Sequence, residues 1–309
     1  MEKLRNVNLI ITNRCNSRCT NCSIWKTPYK EELNTKQIVE MFALKEFENV
    51  VEWGISGGEP YMRTDICEVI EGVCSVNKSI ESIFITTNAS FPERTLESCR
   101  AMRSIGVKNP NVGVSIDGTK ETNKKIRGVD SYDSAVEMLR KIKELYPEIN
   151  TSISFTVCKD NCKIEELEHI DQLSKKLGCS YTFRVASESE EYYNNNGQGY
   201  SINEDDKKMI MKFIINHKLD DKFMQEQLYY LATNKIPVMS DVRTGRHLCL
   251  AGRRFIFVQS NGDIYPCLYS DRIIGNYKNG IMVEKKDFVT KMCPCMTECT
   301  IWPMLLDVK

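Results

Sequence analysis

Three cysteines lie within eight residues of one another near the beginning of the chain. Cys15, Cys19 and Cys22 have the spacing C-x3-C-x2-C and follow a short apolar run, residues 7–11, that predicts a strand. Three thiolates at the end of a strand can surround one metal centre and leave a position open for a reacting molecule. The alternative is a structural zinc site, but such sites use four Cys or His ligands, and the sequence has no fourth one nearby.

Further groups able to bind a ligand follow three later strands. Glycines leave room for a ligand beside the backbone, and Glu59 offers a carboxylate to a cationic group. The planar fork of Arg127 suits a carboxylate. Plainer interpretations are a Gly-Gly turn, an Asx-type turn that leaves a strand, and an arginine on the solvated surface. The motifs are Gly57-Gly58-Glu59-Pro60, Thr86-Thr87-Asn88-Ala89, Ser115-Ile116-Asp117-Gly118 and Arg127-Gly128.

Two more candidates lie at the ends of the fifth and sixth strands. For Cys158 the alternatives are a hydrogen-atom donor and a packing residue. For Arg184 they are a ligand for a substrate carboxylate or phosphate and a member of a structural salt bridge. The segment that follows, residues 186–200, is polar and rich in asparagine, which predicts a mobile lid, a substrate loop or a plain linker.

Short apolar strands alternate with amphipathic helices from residue 6 to about 185. Six such units predict a parallel sheet with the helices outside, and functional loops after the strands. Two further units needed for a closed eight-stranded barrel are missing, so we expect an open, six-stranded partial barrel. The predicted strands are 7–12, 50–56, 82–87, 112–116, 151–157 and 181–185; the helices are 35–43 (capped by Asn34 or Thr35), 65–75, 93–105, 130–146 and 164–177, with two bridging helices at 204–217 and 221–234.

A second group of cysteines lies near the end of the chain. Residues 255–259 and 263–265, joined through Asn261-Gly262, predict a β-hairpin, because Asn-Gly is a strong hairpin signal. Four thiolates beside a hairpin describe an iron-sulfur centre or a zinc ribbon. The cysteines are Cys249, Cys267, Cys293, Cys295 and Cys299.

The composition excludes several classes of protein. The 309 residues carry 42 basic and 42 acidic side chains, so no nucleic acid or other polyanionic partner is indicated. No apolar stretch reaches membrane-spanning length, and the apolar run near Met1 is too short for a signal peptide. We therefore expect a cytoplasmic protein, in which the 14 cysteines are not a disulfide framework.

Together these motifs resemble the radical SAM superfamily. The resemblance implies a [4Fe–4S] cluster on Cys15, Cys19 and Cys22, with S-adenosylmethionine on the fourth iron. It implies further that Gly57-Gly58-Glu59-Pro60 receives the methionyl amino group and that Arg127 pairs with the carboxylate. The remaining cofactor-binding positions implied by the resemblance are Thr87, Asn88, Ser115 and Asp117.

The chain departs from the family pattern at three positions. Asn21 stands where an aromatic residue is usual, and Trp25 lies just after it. Ala89 replaces a glycine, which makes the backbone there less permissive, and Asn123 replaces a histidine, which removes an ionic role from that position.

The terminal cysteines resemble a shortened SPASM or twitch module with one auxiliary [4Fe–4S] cluster. Its ligands would be Cys249, Cys267 and two of Cys293, Cys295 and Cys299. The implied fold is thus an α/β chain with a partial (β/α)6 radical SAM barrel and a small C-terminal hairpin module. The predicted domains are the core, 1–186, a bridging part, 187–240, and the auxiliary cluster domain, 241–309.

The resemblance implies an oxidoreductase or maturase. Reductive cleavage of S-adenosylmethionine would give a 5′-deoxyadenosyl radical that removes hydrogen from an unactivated C–H bond, with an electron donor of the flavodoxin or ferredoxin type. We expect a peptide or protein substrate. Because the first strand begins close to Met1, a leader-binding protein would be a separate chain. The alternatives are a dehydrogenase or epimerase of an aminosugar-like substrate and, in another class, a non-catalytic iron-sulfur or zinc protein.

Overall fold

A computed structural model of the chain describes residues 3–26, 31–186, 189–195, 197, 202–217, 251–268 and 270–281. Strands and helices alternate in its first 185 residues. The strands are β1 (Asn6–Thr12), β2 (Glu52–Gly57), β3 (Ser82–Thr87), β4 (Asn109–Ser115), β5 (Asn150–Val157), β6 (Ser180–Val185), β7 (Phe255–Val258), β8 (Asp263–Tyr265), β9 (Gly275–Asn276) and β10 (Gly280–Ile281). The helices are α1 (Thr35–Phe42), α2 (Ile66–Val76), α3 (Pro92–Ser104), α4 (Lys120–Arg127), α5 (Tyr132–Leu145), α6 (Ile164–Leu177), α7 (Glu190–Tyr193) and α8 (Glu204–Asn216).

One sheet contains all the described strands. The strand order is β10-β9-β8-β7-β1-β2-β3-β4-β5-β6, and neighbours from β1 to β6 pair in parallel. The prediction of six parallel strands with helical crossovers is confirmed. β6 lies at one end of the order and does not pair with β1, so the barrel is open, as expected.

The C-terminal hairpin joins this sheet directly. β7 pairs in parallel with β1, from Asn6 opposite Phe255 to Leu9 opposite Val258, and β8 returns antiparallel to β7. The turn between them contains Gly262 at φ +87°, a left-handed conformation that favours glycine. The predicted hairpin is therefore present, and it continues the edge of the partial barrel at β1.

The outer face of the sheet is apolar and is covered by the helices. In β3, for example, Ile83 and Ile85 are fully buried, whereas Ser82, Phe84 and Thr86 on the inner face are partly exposed. On the outer face the ring of Trp53 in β2 lies 4.9 Å from that of Phe42 in α1. Full burial of each such side chain contributes roughly 1.5–3 kcal/mol to folding.

Two of the described helices, α4 and α7, were not predicted from the sequence. α4 has eight residues, mostly charged, and only Asn123 and Ile126 are buried, so its apolar periodicity is too weak to detect. It ends at Gly128, whose φ of +67° forms a left-handed helix cap. At α1 the expected cap is Asn34, which forms a capping box with Gln37.

The helix predicted for residues 221–234 lies outside the described residues. Among the described helices, none is both long enough and apolar enough to cross a membrane.

Candidate active site

The cysteine loop after β1 rests on the end of α4. The backbone N–H of Arg18 donates to the carbonyl of Arg127 at 2.9 Å, and that of Thr20 donates to Ile126 at 2.8 Å. Gly128 allows this approach, since a Cβ there would lie 2.8 Å from the carbonyl oxygen of Arg18. These contacts position Arg127 beside the three cysteines.

Gly57 and Gly58 hold the other side of the cysteine loop. The N–H of Gly58 donates to the Thr12 carbonyl and that of Glu59 to the Arg14 carbonyl, each at 2.8 Å. A Cβ on Gly57 would overlap the Thr12 carbonyl, and one on Gly58 would overlap the Arg14 carbonyl. The glycines are thus required for packing between two backbone segments, in addition to any approach to a ligand.

Glu59 is fully buried and connects β2 to the loop after β3. Its carboxylate accepts hydrogen bonds from the Thr87 hydroxyl at 2.8 Å, from the Asn88 N–H at 2.7 Å and from the Tyr61 N–H at 3.2 Å. The Asn88 amide in turn donates to the Ser17 hydroxyl at 2.8 Å. Burial raises the pKa of Glu59 to about 7, although these donors act in the opposite direction.

Asp117 and Arg127 form an ion pair in which the aspartate is buried and the arginine keeps a small exposed part. The Nε atom of Arg127 lies 2.8 Å from Oδ2 of Asp117, and Nη1 lies 3.7 Å from the Sγ atom of Cys19. Oδ1 of Asp117 accepts from the N–H of Thr156 at 2.8 Å. Asn123 uses its side-chain oxygen to accept the Asp117 N–H at 2.9 Å, which is the structural role of the residue that replaces the family's histidine.

A single cavity brings most of the predicted site residues together. Four others do not line it. Pro60 begins a short 3-10 helix, the carboxylate of Asp117 contacts Arg127 and Thr156, Cys158 is buried after β5, and Cys267 is buried two residues after β8. Cys249, Cys293, Cys295 and Cys299 lie outside the described residues. The predicted residues that line the cavity are Cys15, Cys19, Cys22, Gly57, Gly58, Glu59, Thr87, Asn88, Ser115, Arg127 and Arg184.

The cysteines fit a cluster better than a single ion. Burial raises the pKa of Cys15 to about 11 and that of Cys22 to about 12, so both thiols stay protonated until a metal draws off the protons. Within the described part of the chain, no three Cys, His, Asp or Glu side chains converge on one metal ion. A zinc ion needs its thiolates at about 2.3 Å from one point, whereas the thiolates of an iron-sulfur cluster bind different iron atoms.

Sequence reasoning missed the segment that crosses the cysteine loop. Residues 189–195, predicted as part of a mobile lid or linker, contain α7 and place Tyr192 and Tyr193 in the cavity wall. The Tyr193 carbonyl accepts the N–H of Ser23 at 2.7 Å, and the Asn195 amide donates to the Asn21 carbonyl at 2.8 Å. The only sequence signal was the cap residue Ser189, three positions before a tyrosine pair.

Trp25 packs on the cysteine loop, as the sequence suggested for the position after Asn21. Its indole N–H donates to the Cys22 carbonyl at 3.2 Å, and the Arg18 guanidinium lies 4.5 Å from its ring centre. The aromatic contact expected at residue 21 is thus supplied from four residues further on.

Cys267 lies directly after β8 in a buried apolar cluster. The cluster includes Phe257 and Tyr265, and Cys22 and Tyr192 pack against it. The hairpin therefore brings Cys267 to the same side of the sheet as the first cysteine loop.

The sequence profile of the Radical SAM superfamily matches residues 9–173. Fe-coproporphyrin III synthase of Methanosarcina barkeri is 31% identical over 161 residues, which are 50% of this chain and 37% of that protein. GTP 3′,8-cyclase of Aquifex aeolicus is 24% identical over 301 residues, which are 94% of this chain and 88% of that protein. The match to the first of these relatives thus spans little more than a third of its length.

Two solved structures share the fold. SuiB of Streptococcus suis, bound to precursor peptide SuiA, has a TM-score of 0.67 at 16% identity, over 92% of this chain and 66% of SuiB. Native anSMEcpe with bound AdoMet has a TM-score of 0.65 at 18% identity, over 90% of this chain and 79% of that one. The profile match covers more than half of the chain and includes the cysteine loop and the motifs from Gly57 to Arg127. The chain therefore belongs to the Radical SAM superfamily and is an enzyme.

Proposed function

We propose that this enzyme cleaves S-adenosylmethionine reductively at a [4Fe–4S] cluster and uses the resulting radical to remove hydrogen from a C–H bond of a peptide or protein. The observation that carries the proposal is the meeting of three cysteines, a buried carboxylate and a largely buried arginine in one cavity. When bound, the cluster and S-adenosylmethionine supply the electron transfer and the 5′-deoxyadenosyl radical. The protein's own part is to bind and orient the cofactor and the substrate, and to exclude water from the cavity.

Each group in the cavity has a distinct part in binding. Cys15, Cys19 and Cys22 hold the cluster and leave one iron for S-adenosylmethionine. Glu59 is the acceptor for the methionyl ammonium, and its buried carboxylate is favoured in the charged form when that cation arrives. Arg127 is the donor for the methionyl carboxylate, held in place by Asp117.

The proposed substrate rests on other observations than the proposed chemistry. SuiB, whose fold this chain shares, is bound to a precursor peptide, but at 16% identity the two proteins have only the fold in common. A small carbohydrate-like substrate is the second candidate, and the asparagine, serine and threonine side chains of the barrel interior favour it. In either case Cys249, Cys267 and two of Cys293, Cys295 and Cys299 would hold one auxiliary cluster, and a flavodoxin or ferredoxin would supply electrons.

The test uses anaerobically purified protein after cluster reconstitution. Iron, sulfide and zinc are measured first, followed by release of 5′-deoxyadenosine after S-adenosylmethionine and a reductant are added. We expect two clusters' worth of iron and release of the nucleoside. Zinc without nucleoside release would overturn the proposal.

Cys15→Ala tests the first cluster directly. We expect it to abolish nucleoside release, because the cluster loses one of its three ligands. Cys67→Ala is the matched control, since Cys67 is half-buried on α2 and does not line the cavity. Nucleoside release at the wild-type rate by Cys15→Ala would contradict the cluster assignment.

Cys267→Ala tests the auxiliary cluster separately. We expect the variant to lose about four iron atoms per chain after reconstitution and to lose product formation with its substrate. An unchanged iron content would show that Cys267 packs in the apolar cluster and binds no metal.

A further inference from the structure

A second cavity, which we call the lumen, lies inside the barrel, beneath the cysteine cavity. It has a volume of about 600 Å³, within the range of sites for small ligands. Inner-face residues of β1 to β6 line it, together with Phe255 of β7 and Tyr192 of α7.

The lumen has an unusual lining for the interior of a barrel. Five asparagines, four serines and two threonines line it, beside aromatic rings that include Phe84, Tyr192 and Phe255. Closed barrels of parallel strands fill their interior with layers of bulky branched side chains, and strands buried on both faces are apolar throughout. Here the outer face follows that rule and the inner face does not, so the polar lining is not a requirement of the fold.

Several polar atoms of the lumen and its upper end make no hydrogen bond within the described residues. They are Oδ1 of Asn6, Oδ1 of Asn111 and, where the lumen meets the cysteine cavity, Oγ of Ser154. The Asn6 side chain is more than nine-tenths buried, and its Nδ2 atom donates to Glu52. Buried polar groups are almost always paired with protein or water, so these oxygens are available to a donor in the cavity, supplied by water or by a ligand.

Within the residues that the structure describes, the lumen extends along the whole length of the strands. Ser56, Thr86 and Arg184 line it and also line the cysteine cavity, so a molecule in the lumen reaches the radical site. At the opposite end Asn109 and Asn150, the first residues of β4 and β5, are exposed to solvent.

The charges in the lumen are few. Among its described lining residues, the charged side chains are Glu52 on β2 and Arg184 on β6. Glu52 pairs across the sheet with Asn6 and Ser82, in the layer farthest from the cysteine loop, whereas Arg184 borders the cysteine cavity. Neutral hydrogen-bonding groups occupy the space between them.

We propose that the lumen binds the reacting part of the substrate, and that this part is uncharged and rich in hydroxyl or carboxamide groups. Apolar and aromatic groups would leave the asparagine oxygens unpaired and are disfavoured for that reason. The same chemistry is found in a free polyhydroxylated molecule and in a Ser, Thr, Asn or Gln side chain of a peptide. The inference rests on the proposed function only for the position of the radical; binding in the lumen is independent of it.

The experiment measures binding, without turnover. Reconstituted full-length protein with S-adenosylmethionine and no reductant is mixed with N-acetylglucosamine, N-acetylasparaginamide or N-acetylleucinamide, and saturation-transfer NMR reports contact with the protein. We expect the first two probes to bind and the leucine derivative not to bind. Preference for the sugar identifies a free small molecule as the source, and preference for the asparagine derivative identifies a peptide side chain.

The variants Asn111→Leu and Asn111→Ala test whether the probes bind in the lumen. We expect both to weaken the polar probes at least tenfold, and the leucine variant to raise Tm because it fills space and removes an unpaired amide. Asn77→Leu is the matched control: this buried asparagine is fully hydrogen-bonded outside the lumen, so the variant should lower Tm and leave probe binding intact. Should Asn111→Leu not fold, the alanine variant, which cannot overpack, decides alone.

Several results would overturn the inference. One is equal binding of the leucine derivative and the polar probes. Another is unchanged probe binding in Asn111→Ala. A third is the absence of binding by either polar probe at concentrations up to 50-fold above those at which S-adenosylmethionine saturates. Each of these is separable from failure of the proposed function, which is measured by nucleoside release.

Discussion

Asp117 holds Arg127 against the cysteine loop, with Nε and Oδ2 2.8 Å apart and the aspartate side chain only 1% exposed. Three elements meet in this pair, because Asp117 follows β4, Arg127 ends α4, and the Thr156 N–H from β5 binds the other carboxylate oxygen. The guanidinium is therefore oriented before any ligand arrives, which lowers the entropic cost of binding a carboxylate.

Asp117→Ala should leave the largely buried Arg127 without its partner. We expect the free energy of unfolding to fall by about 3–5 kcal/mol, as is typical when one member of a buried pair is removed. Urea titration measures the loss, and isothermal titration calorimetry should show weaker S-adenosylmethionine binding.

The double variant Asp117→Leu with Arg127→Met separates the two roles of the pair. It removes both charges, so it should recover most of the stability while S-adenosylmethionine binding stays lost. If the double variant binds S-adenosylmethionine as well as the wild type, Arg127 is structural only.

Glu59→Gln should change how stability depends on pH. The folded-state pKa of about 7 lies above the ordinary value of 4.5, so between these values the folded protein keeps a proton that the unfolded chain releases. The contribution of the protonated Glu59 side chain to the free energy of unfolding is fully present below pH 4.5. It is lost as the pH rises through 7. The advantage of the wild type over Glu59→Gln should therefore shrink by roughly 3 kcal/mol between pH 4.5 and 8, at about 1.4 kcal/mol per pKa unit.

Urea unfolding of the cluster-free proteins at several pH values measures this difference. Glu46→Gln, at an exposed carboxyl, is the control and should track the wild type at every pH. A constant gap between wild type and Glu59→Gln would mean that Glu59 titrates near its ordinary pKa.

Ala89→Gly should be nearly neutral for stability. Ala89 has φ +61°, a left-handed conformation that costs a residue with a Cβ about 1–2 kcal/mol, and glycine relieves that cost. The gain is offset by loss of a buried methyl group and by the greater freedom of the unfolded glycine chain. The same change at Ala135, buried within α5, should cost about 2 kcal/mol more, which thermal unfolding of the two variants will show.

Gly58→Ala should displace the cysteine loop. A Cβ would overlap the Arg14 carbonyl, so the hydrogen bond from Glu59 to that carbonyl cannot form. We expect reconstituted iron at the first cluster to fall several-fold. Gly106→Ala is the control, since it has a left-handed φ of +75° but open space around it, and should lose about 1 kcal/mol of stability without loss of iron.

The sequence by itself determined the order of the elements and the placement of the motifs. Alternation of short apolar runs with amphipathic runs predicts parallel strands with crossover helices, and the structure has all six. Because parallel strands end at one edge of the sheet, the order of the strands alone is enough to predict that residues as distant as Cys15 and Arg184 lie near each other.

Only the tertiary structure decided the contacts that cross between distant segments. The carboxylate of Asp117 pairs with Arg127, and Tyr192 enters the cavity wall from a segment without apolar periodicity. The pairing of β7 with β1 depends on which strand edge is free in the folded sheet, and the unpaired oxygens of the lumen depend on which neighbours fail to reach them. Local propensity and hydrophobic pattern act over a few residues, whereas these contacts are set by backbone approach and hydrogen-bond geometry between segments up to about 250 residues apart.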